Sequence, residues 1–211
     1  EIKISRKKVP YSEALLFMEK RVNKIFNEEE SELIWFLNHD HIYTCGTSAK
    51  KNEIISKPSI PIISTNRGGK TTYHGPGQRI VYFLINLNKR KKDIRKFVNI
   101  IENSSISLLK ELNIEAKTFP KRVGIWITKS KGISLPKEKK IGAIGLRVRK
   151  WVTYHGLSFN INPDLKYYNS IHSCGLKNYS TTSINELGSS LTIKEFDNKY
   201  LSYFKKNIKN F

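Results

Sequence analysis

The chain has 211 residues, 38% hydrophobic and 27% charged, with a mean hydropathy of −0.46 and a formal net charge of +20. That length suits one domain of ordinary size, or a domain with a small appendage. The two cysteines exclude a disulfide framework, and no apolar run reaches the length of a membrane span or of a signal-peptide core. A surface this basic attracts nucleic acid, acidic proteins or anionic lipid, although an AT-rich genome, which also favours Ile and Asn, would leave the same excess of Lys. With so few cysteines a reducing compartment is the default.

Residues 11–26 place Tyr11, Leu15, Met18, Val22 and Ile25 on one face of an amphipathic helix. Residues 33–37 read as a buried strand, with a shorter one at 42–44, and 50–60 as a polar loop. A strand near Ile62 and Ile63 runs into Arg67-Gly68-Gly69-Lys70-Thr71-Thr72-Tyr73-His74-Gly75-Pro76-Gly77-Gln78, where four glycines and a proline imply tight turns and close backbone approach. Strand 80–87 follows. A second amphipathic helix is expected over 93–112, with Ile94, Phe97, Val98, Ile101, Leu108 and Leu112 inward. Strands are expected over 123–128, 141–148 and 157–161. Thr192 to Glu195 form a capping box that opens a last helix with Phe196, Tyr200 and Phe204 inward. This order is neither strict βαβ alternation nor all-β, so the expected class is α/β or α+β, a mixed sheet with flanking helices. The tetrapeptide Thr-Tyr-His-Gly occurs at 72–75 and 153–156 with unlike flanks, which argues against an internal duplication.

Taken one at a time, the chemical residues favour ordinary readings. Cys174 precedes Gly175, which frees backbone amides to approach the sulfur, yet a lone cysteine is more often a small buried hydrophobe. Lys140 enters the apolar, glycine-containing run Ile141 to Gly145, where desolvation would let it trade a proton; with Lys137 and Lys139 beside it, a solvated strand start explains it as well. Arg67, before two glycines, is suited to a carboxylate or phosphate. His74 and His155 read as satisfied structural histidines. No metal-ligand spacing is present, so no metal is expected.

Taken together, three blocks resemble the lipoyl(octanoyl) transferases: Arg67 to Gln78, matching R-G-G-x-x-T-Y-H-G-P-G-Q; Lys140 to Val148, continuing into Trp151 to Gly156; and Cys174-Gly175 with Thr182-Ser183 downstream. The resemblance spans about Leu33 to Leu187. Ser173, where the family often has proline, and Lys70, in a variable slot, are modest departures.

The resemblance implies a fold like the catalytic domains of biotin and lipoate protein ligases, with residues 1–211 as one catalytic domain. It implies transfer of an octanoyl group from acyl carrier protein to the target lysine of lipoyl domains, in 2-oxoacid dehydrogenase complexes and the glycine cleavage H protein. Cys174 would carry the acyl group as a thioester and Lys140 would be its partner, 174 − 140 = 34 residues away. The substrate pocket would be lined by Arg67, Gly68, Gly69, Lys70, Thr71, Thr72, Tyr73 and His74, by Ala143, Ile144 and Gly145, and by Gly156, Leu157 and Ser158. No ATP and no metal would be needed, because the donor arrives activated. Neither a specific nucleic acid nor a membrane is an expected partner. The expected compartment is the cytoplasm, or an organelle such as a mitochondrion or plastid where a targeting segment has been removed. The alternatives are an ATP-dependent lipoate or biotin ligase on the same fold and a basic nucleic-acid-binding module, for which Lys89-Arg90-Lys91-Lys92 is the best local argument.

Overall fold

The computed structural model describes residues 1–56, 59–120, 122–172, 179–209 and 211. Among them, seven strands form one mixed sheet: β1 (Ile2–Ile4), β2 (Leu33–Leu37), β6 (Gln78–Leu84), β10 (Val152–Asn160), β9 (Ile133–Arg149), β8 (Arg122–Ser130) and β7 (Ile114–Phe119), adjacent in that order. Three more, β4 (Ile62–Ser64), β3 (Ile42–Cys45) and β5 (Thr72–His74), form a small sheet in the order given. The first pair, β1 with β2, is parallel, whereas β2–β6, β6–β10, β10–β9, β9–β8 and β8–β7 are antiparallel.

Strand alternation divides the apolar side chains between two faces. Leu33, Trp35, Leu37, Ile80, Tyr82, Leu84, Val152 and Tyr154 pack on Ala14, Met18, Val22 and Ile25 of α1 (Tyr11–Phe26). Ile34, Phe36, Val81, Phe83, Leu157 and Phe159 pack on the opposite face, against Phe97, Ile101 and Leu108 of α2 (Ile94–Glu111) and Phe196, Tyr200 and Phe204 of α3 (Ile193–Ile208). Both faces of β2 and β6 are covered, so these strands read as unbroken apolar runs.

The helix starts follow from capping chemistry. The Asp93 carboxylate accepts from Lys96 N at 2.9 Å. Thr192 and Glu195 make the reciprocal pair expected from sequence, with Glu195 N donating to Thr192 Oγ1 at 3.2 Å and Thr192 N to Glu195 Oε2 at 2.8 Å. A buried ion pair fixes α3 to β6: Arg79 donates from Nε to Asp197 Oδ1 at 2.8 Å and from Nη2 to Oδ2 at 2.7 Å.

The expected mixed sheet and three helices are present, with specific differences. Residues 72–74, expected within a turn, form strand β5, which pairs with β3. Strands β1 and β7 were not anticipated. The expected strand at 141–148 is the inner half of the longer β9, whose outer half turns back to β8 through Lys131 and Gly132, both at positive φ. On α2 the buried face carries Ile100 and Leu109, whereas Ile94 is exposed and Val98 and Leu112 are half-buried. No helix among the described residues is long and apolar enough to cross a membrane.

Candidate active site

A cavity of about 310 Å³ opens on the α1 side of the main sheet, at the N-terminal end of α1. Its floor comes from paired strands. Ile80 and Tyr82 of β6 lie beside Gly156, Leu157 and Ser158 of β10, which in turn face Gly145, Ile144 and Ala143 of β9. The other wall is the glycine-rich segment, through Arg67, Gly69, Lys70, Thr72 and His74. Lys140 of β9 closes one end together with Arg122 and Val123 of β8. Most of the residues expected from sequence thus meet at one place.

Three expected lining residues point elsewhere. Gly68 N donates to Leu146 O at 3.0 Å, so the loop adds itself to the edge of β9. Thr71 N donates to Glu53 Oε2 at 2.9 Å, and its hydroxyl lies 3.6 Å from Cys45 Sγ. Tyr73 is buried in a separate aromatic cluster, stacked on Tyr167 with ring centres 5.0 Å apart.

Arg67 holds the loop in shape. Its buried guanidinium donates to Thr44 O at 2.5 Å, to Thr44 Oγ1 at 2.8 Å, to Lys70 O at 2.7 Å and to Gly68 O at 3.0 Å. Its planar fork thus ties carbonyls of its own loop to Thr44 of β3, while the residue also lines the cavity. Close approach also depends on Gly145, where a Cβ would stand 2.7 Å from Gly68 O and push the loop off the strand.

Neutral aromatic side chains fill the inner end. The Tyr11 ring stacks on His74 and on His155, with centres 6.2 and 6.4 Å apart. Behind them His39 Nδ1 lies 2.6 Å from Val9 O and Nε2 2.7 Å from Tyr82 Oη. Burial holds the His39 imidazole down at about 4. Burial first, and then the Arg67 guanidinium, brings His155 down to about 3. His74 is held well below its ordinary value by burial, with His39 and Arg67 adding to it. These rings therefore stay uncharged at neutral pH and leave an apolar lining. His155 takes a left-handed backbone, φ 59°, inside a strand, and its Nε2 lies 3.0 Å from Asn66 Oδ1. The Nδ1 atoms of both His74 and His155 are buried without a hydrogen-bond partner among the described residues.

Lys140 is buried at the other end. Its Nζ donates to Val123 O at 3.0 Å and lies 5.3 Å from the centre of the Trp126 ring. Its backbone is bound to the segment that follows the cysteine: Lys140 N donates to Ser180 O at 2.9 Å and Thr182 N to Lys140 O at 2.8 Å. The reading of Lys140 as a solvated strand start is thereby overturned. Cys174 itself lies outside the described residues. Of its flanks, His172 N donates to Glu53 O at 2.7 Å, and Ser180 is held to Lys140 as above. Cys45 is the free cysteine of the described residues and is half-buried. Among the described residues no three His, Cys, Asp or Glu come together as metal ligands.

Sequence reasoning had not placed Tyr11, Ser48, Ile80, Tyr82, Arg122, Val123 and His155 on this wall. A signal existed for some. Ile80 and Tyr82 share a face of β6 by alternation, and the repeated Thr-Tyr-His-Gly marks His155 as the counterpart of His74. Nothing in the sequence singles out Arg122.

Comparison with known proteins matches the same elements. The family model for the lipoyl protein ligase A/B catalytic domain covers residues 10–205. A protein of Bartonella bacilliformis named octanoyltransferase is 43% identical over 202 residues, covering 94% of this chain and 84% of the relative. One of Ehrlichia chaffeensis with the same name is 41% identical over 212 residues, covering 100% and 97%. In fold, the chain is similar to the bipartite lipoate protein ligase of Thermoplasma acidophilum, with TM-score 0.72 at 15% identity, covering 99% of this chain and 84% of that one. A lipoate-protein ligase A bound with ATP gives TM-score 0.72 at 14% identity, covering 99% and 85%. A biotin protein ligase of Aquifex aeolicus gives TM-score 0.50 at 16% identity, covering 80% and 70%.

Proposed function

The chain belongs to the lipoyl protein ligase A/B catalytic domain family, and from that premise we propose the route by which it works, as an octanoyltransferase of lipoate biosynthesis. Residues 1–211 act as one catalytic domain. The donor is octanoyl acyl carrier protein and the acceptor is the target lysine of a lipoyl domain. The bipartite ligase of similar fold was solved as part of a lipoylation system together with its E2 lipoyl domain, which supports that class of acceptor.

The Cys174 thiolate attacks the donor's thioester carbonyl. The carrier thiolate leaves and takes up a proton, and the octanoyl group remains on Cys174 as a new thioester. The acceptor amine then attacks that carbonyl, the bond to Cys174 breaks, an amide forms, and the amine's proton passes to the enzyme. The first step exchanges one thioester for another and the second runs downhill to an amide, so neither ATP nor a metal takes part. A lysine beside the sulfur stabilises the thiolate and then carries a proton between the steps.

The observation that carries this reading is Lys140: a buried amine at one end of the cavity, opposite the neutral Tyr11, His74 and His155 rings, with its backbone tied to Ser180 and Thr182, downstream of Cys174. Ile80, Ala143 and the Tyr11 and Tyr82 rings offer the hydrocarbon chain an apolar bed, each buried methylene contributing about 0.8 kcal/mol. Intact mass spectrometry after incubation with octanoyl carrier protein tests it. One octanoyl mass should appear, be released by hydroxylamine, and persist in Cys45→Ala. An adduct that survives in Cys174→Ala would overturn the assignment.

A further inference from the structure

Glu102 sits on the buried face of α2 and does not line the cavity, yet it lies one peptide group away from Lys140. Its Oε1 accepts from Gly124 N at 3.1 Å. The carbonyl of that same peptide group, Val123 O, accepts from Lys140 Nζ at 3.0 Å. A carboxylate therefore holds one end of the peptide dipole and the lysine amine the other.

We propose that Glu102 is a positioning residue for Lys140, acting through the Val123–Gly124 peptide. The proposal rests on Lys140 being the partner of Cys174.

Three features of the fold make this arrangement specific. Gly124 has φ +123°, a region that L side chains rarely adopt, and a Cβ there would stand 2.6 Å from Lys140 Cε and 2.6 Å from Gly142 O. Glycine is thus required both for the peptide's orientation and for the room the lysine occupies. Next, the β8–β9 register shifts at this point, from Ile125↔Gly142 to Trp126↔Lys140, so Ile141 is an extra residue. Such a bulge re-aims the neighbouring side chain. Finally, Glu102 is buried, where a carboxylate needs hydrogen-bond donors. Burial raises its pKa, and the Gly124 amide and Lys140 oppose that rise. A negative charge at the N–H and a lysine at the C=O polarise the peptide in the same sense, so each bond strengthens the other.

The test is a double-mutant cycle between Glu102 and Lys140, read as kcat and KM for octanoyl carrier protein. Glu102→Ala should lower kcat about tenfold, the scale of one hydrogen bond to a charged group, with KM for the donor unchanged. Glu102→Gln, whose amide oxygen can still accept from Gly124 N, should restore most of that loss. In a Lys140→Ala background, Glu102→Ala should produce no further fall. Should Glu102→Ala not fold, Glu102→Met, of similar length and apolar, takes its place in the cycle. A wild-type kcat in Glu102→Ala, or a tenfold fall that persists without Lys140, overturns the proposal. A wild-type rate in Lys140→Ala itself overturns the underlying reading and the proposal with it, whereas octanoyl transfer by the unmodified enzyme tests the function separately.

Discussion

The uncharged histidines make the protein acid-labile in a defined window. His39, His74 and His155 are all held below 6.5, His39 at about 4 and His155 at about 3. In the unfolded chain each would protonate near 6.5. Below that value the unfolded state binds protons that the folded state refuses. Stability is therefore full above 6.5 and is lost as the pH falls through 6.5 towards the folded values. One such histidine removes about 1.3 kcal/mol between about pH 7 and about pH 5.5, and three together about 4 kcal/mol. That is a large part of a typical total of about 5–15 kcal/mol. Guanidinium unfolding followed by tryptophan fluorescence at the two pH values measures it directly. Carboxylates with lowered values, such as Glu30 and Glu195, act at lower pH, and Glu102 and Asp197, raised by burial, act in the opposite direction. Replacing His155 by Gln should flatten the dependence by about a third, since one of three protons is removed. An unchanged stability at about pH 5.5, or an unchanged slope in His155→Gln, would refute the reasoning.

Three further outcomes are expected. Arg67→Lys keeps the charge but not the fork that reaches Thr44, Gly68 and Lys70 together; thermal unfolding should show a loss of about 1–3 kcal/mol, and KM for the octanoyl donor should rise more than kcat falls. Arg79→Met leaves the Asp197 carboxylate buried without its partner and should cost about 3–5 kcal/mol in urea unfolding, most of it recovered when Asp197→Leu is added. If the net charge of +20 steers acidic protein substrates, the rate at low donor concentration should fall steeply as salt rises, and a flat response would return the charge to genome composition.

How far the sequence could be read depended on which signal each element left. The helices were legible because their apolar spacing and, for α3, the Thr192–Glu195 box are local. The fully buried β2 and β6 announced themselves as unbroken apolar runs. Strand β5 was hidden because its stabilisation comes from β3, some thirty residues away, while its own neighbourhood is full of turn residues. The outer half of β9 is exposed and polar, so it lacks the alternation that marks a half-buried strand. Lys140 shows the same limit from the functional side. Beside Lys137 and Lys139 it looked solvated, and only the three-block resemblance pointed to it. The groups that bury it, Val123, Trp126 and the segment 180–182, come from distant parts of the chain. Glu102 left no mark, because a carboxylate on a helix face reads as solvent-facing until Gly124 is seen against it.

The pairing of β6 with β10 has a consequence for how the chain is made. Tyr82 and Gly156 stand opposite each other across more than seventy residues of sequence. While the ribosome is still extending the chain between them, β6 can pair with β2, but its other edge stays open: an apolar, β-prone edge of the kind that joins strands of different molecules. The half-made protein is therefore most exposed to self-association during the synthesis of α2 and the β8–β9 hairpin. The basic residues already present by then, through Lys89 to Lys92 and beyond, give each nascent chain a like charge that opposes such association at close range.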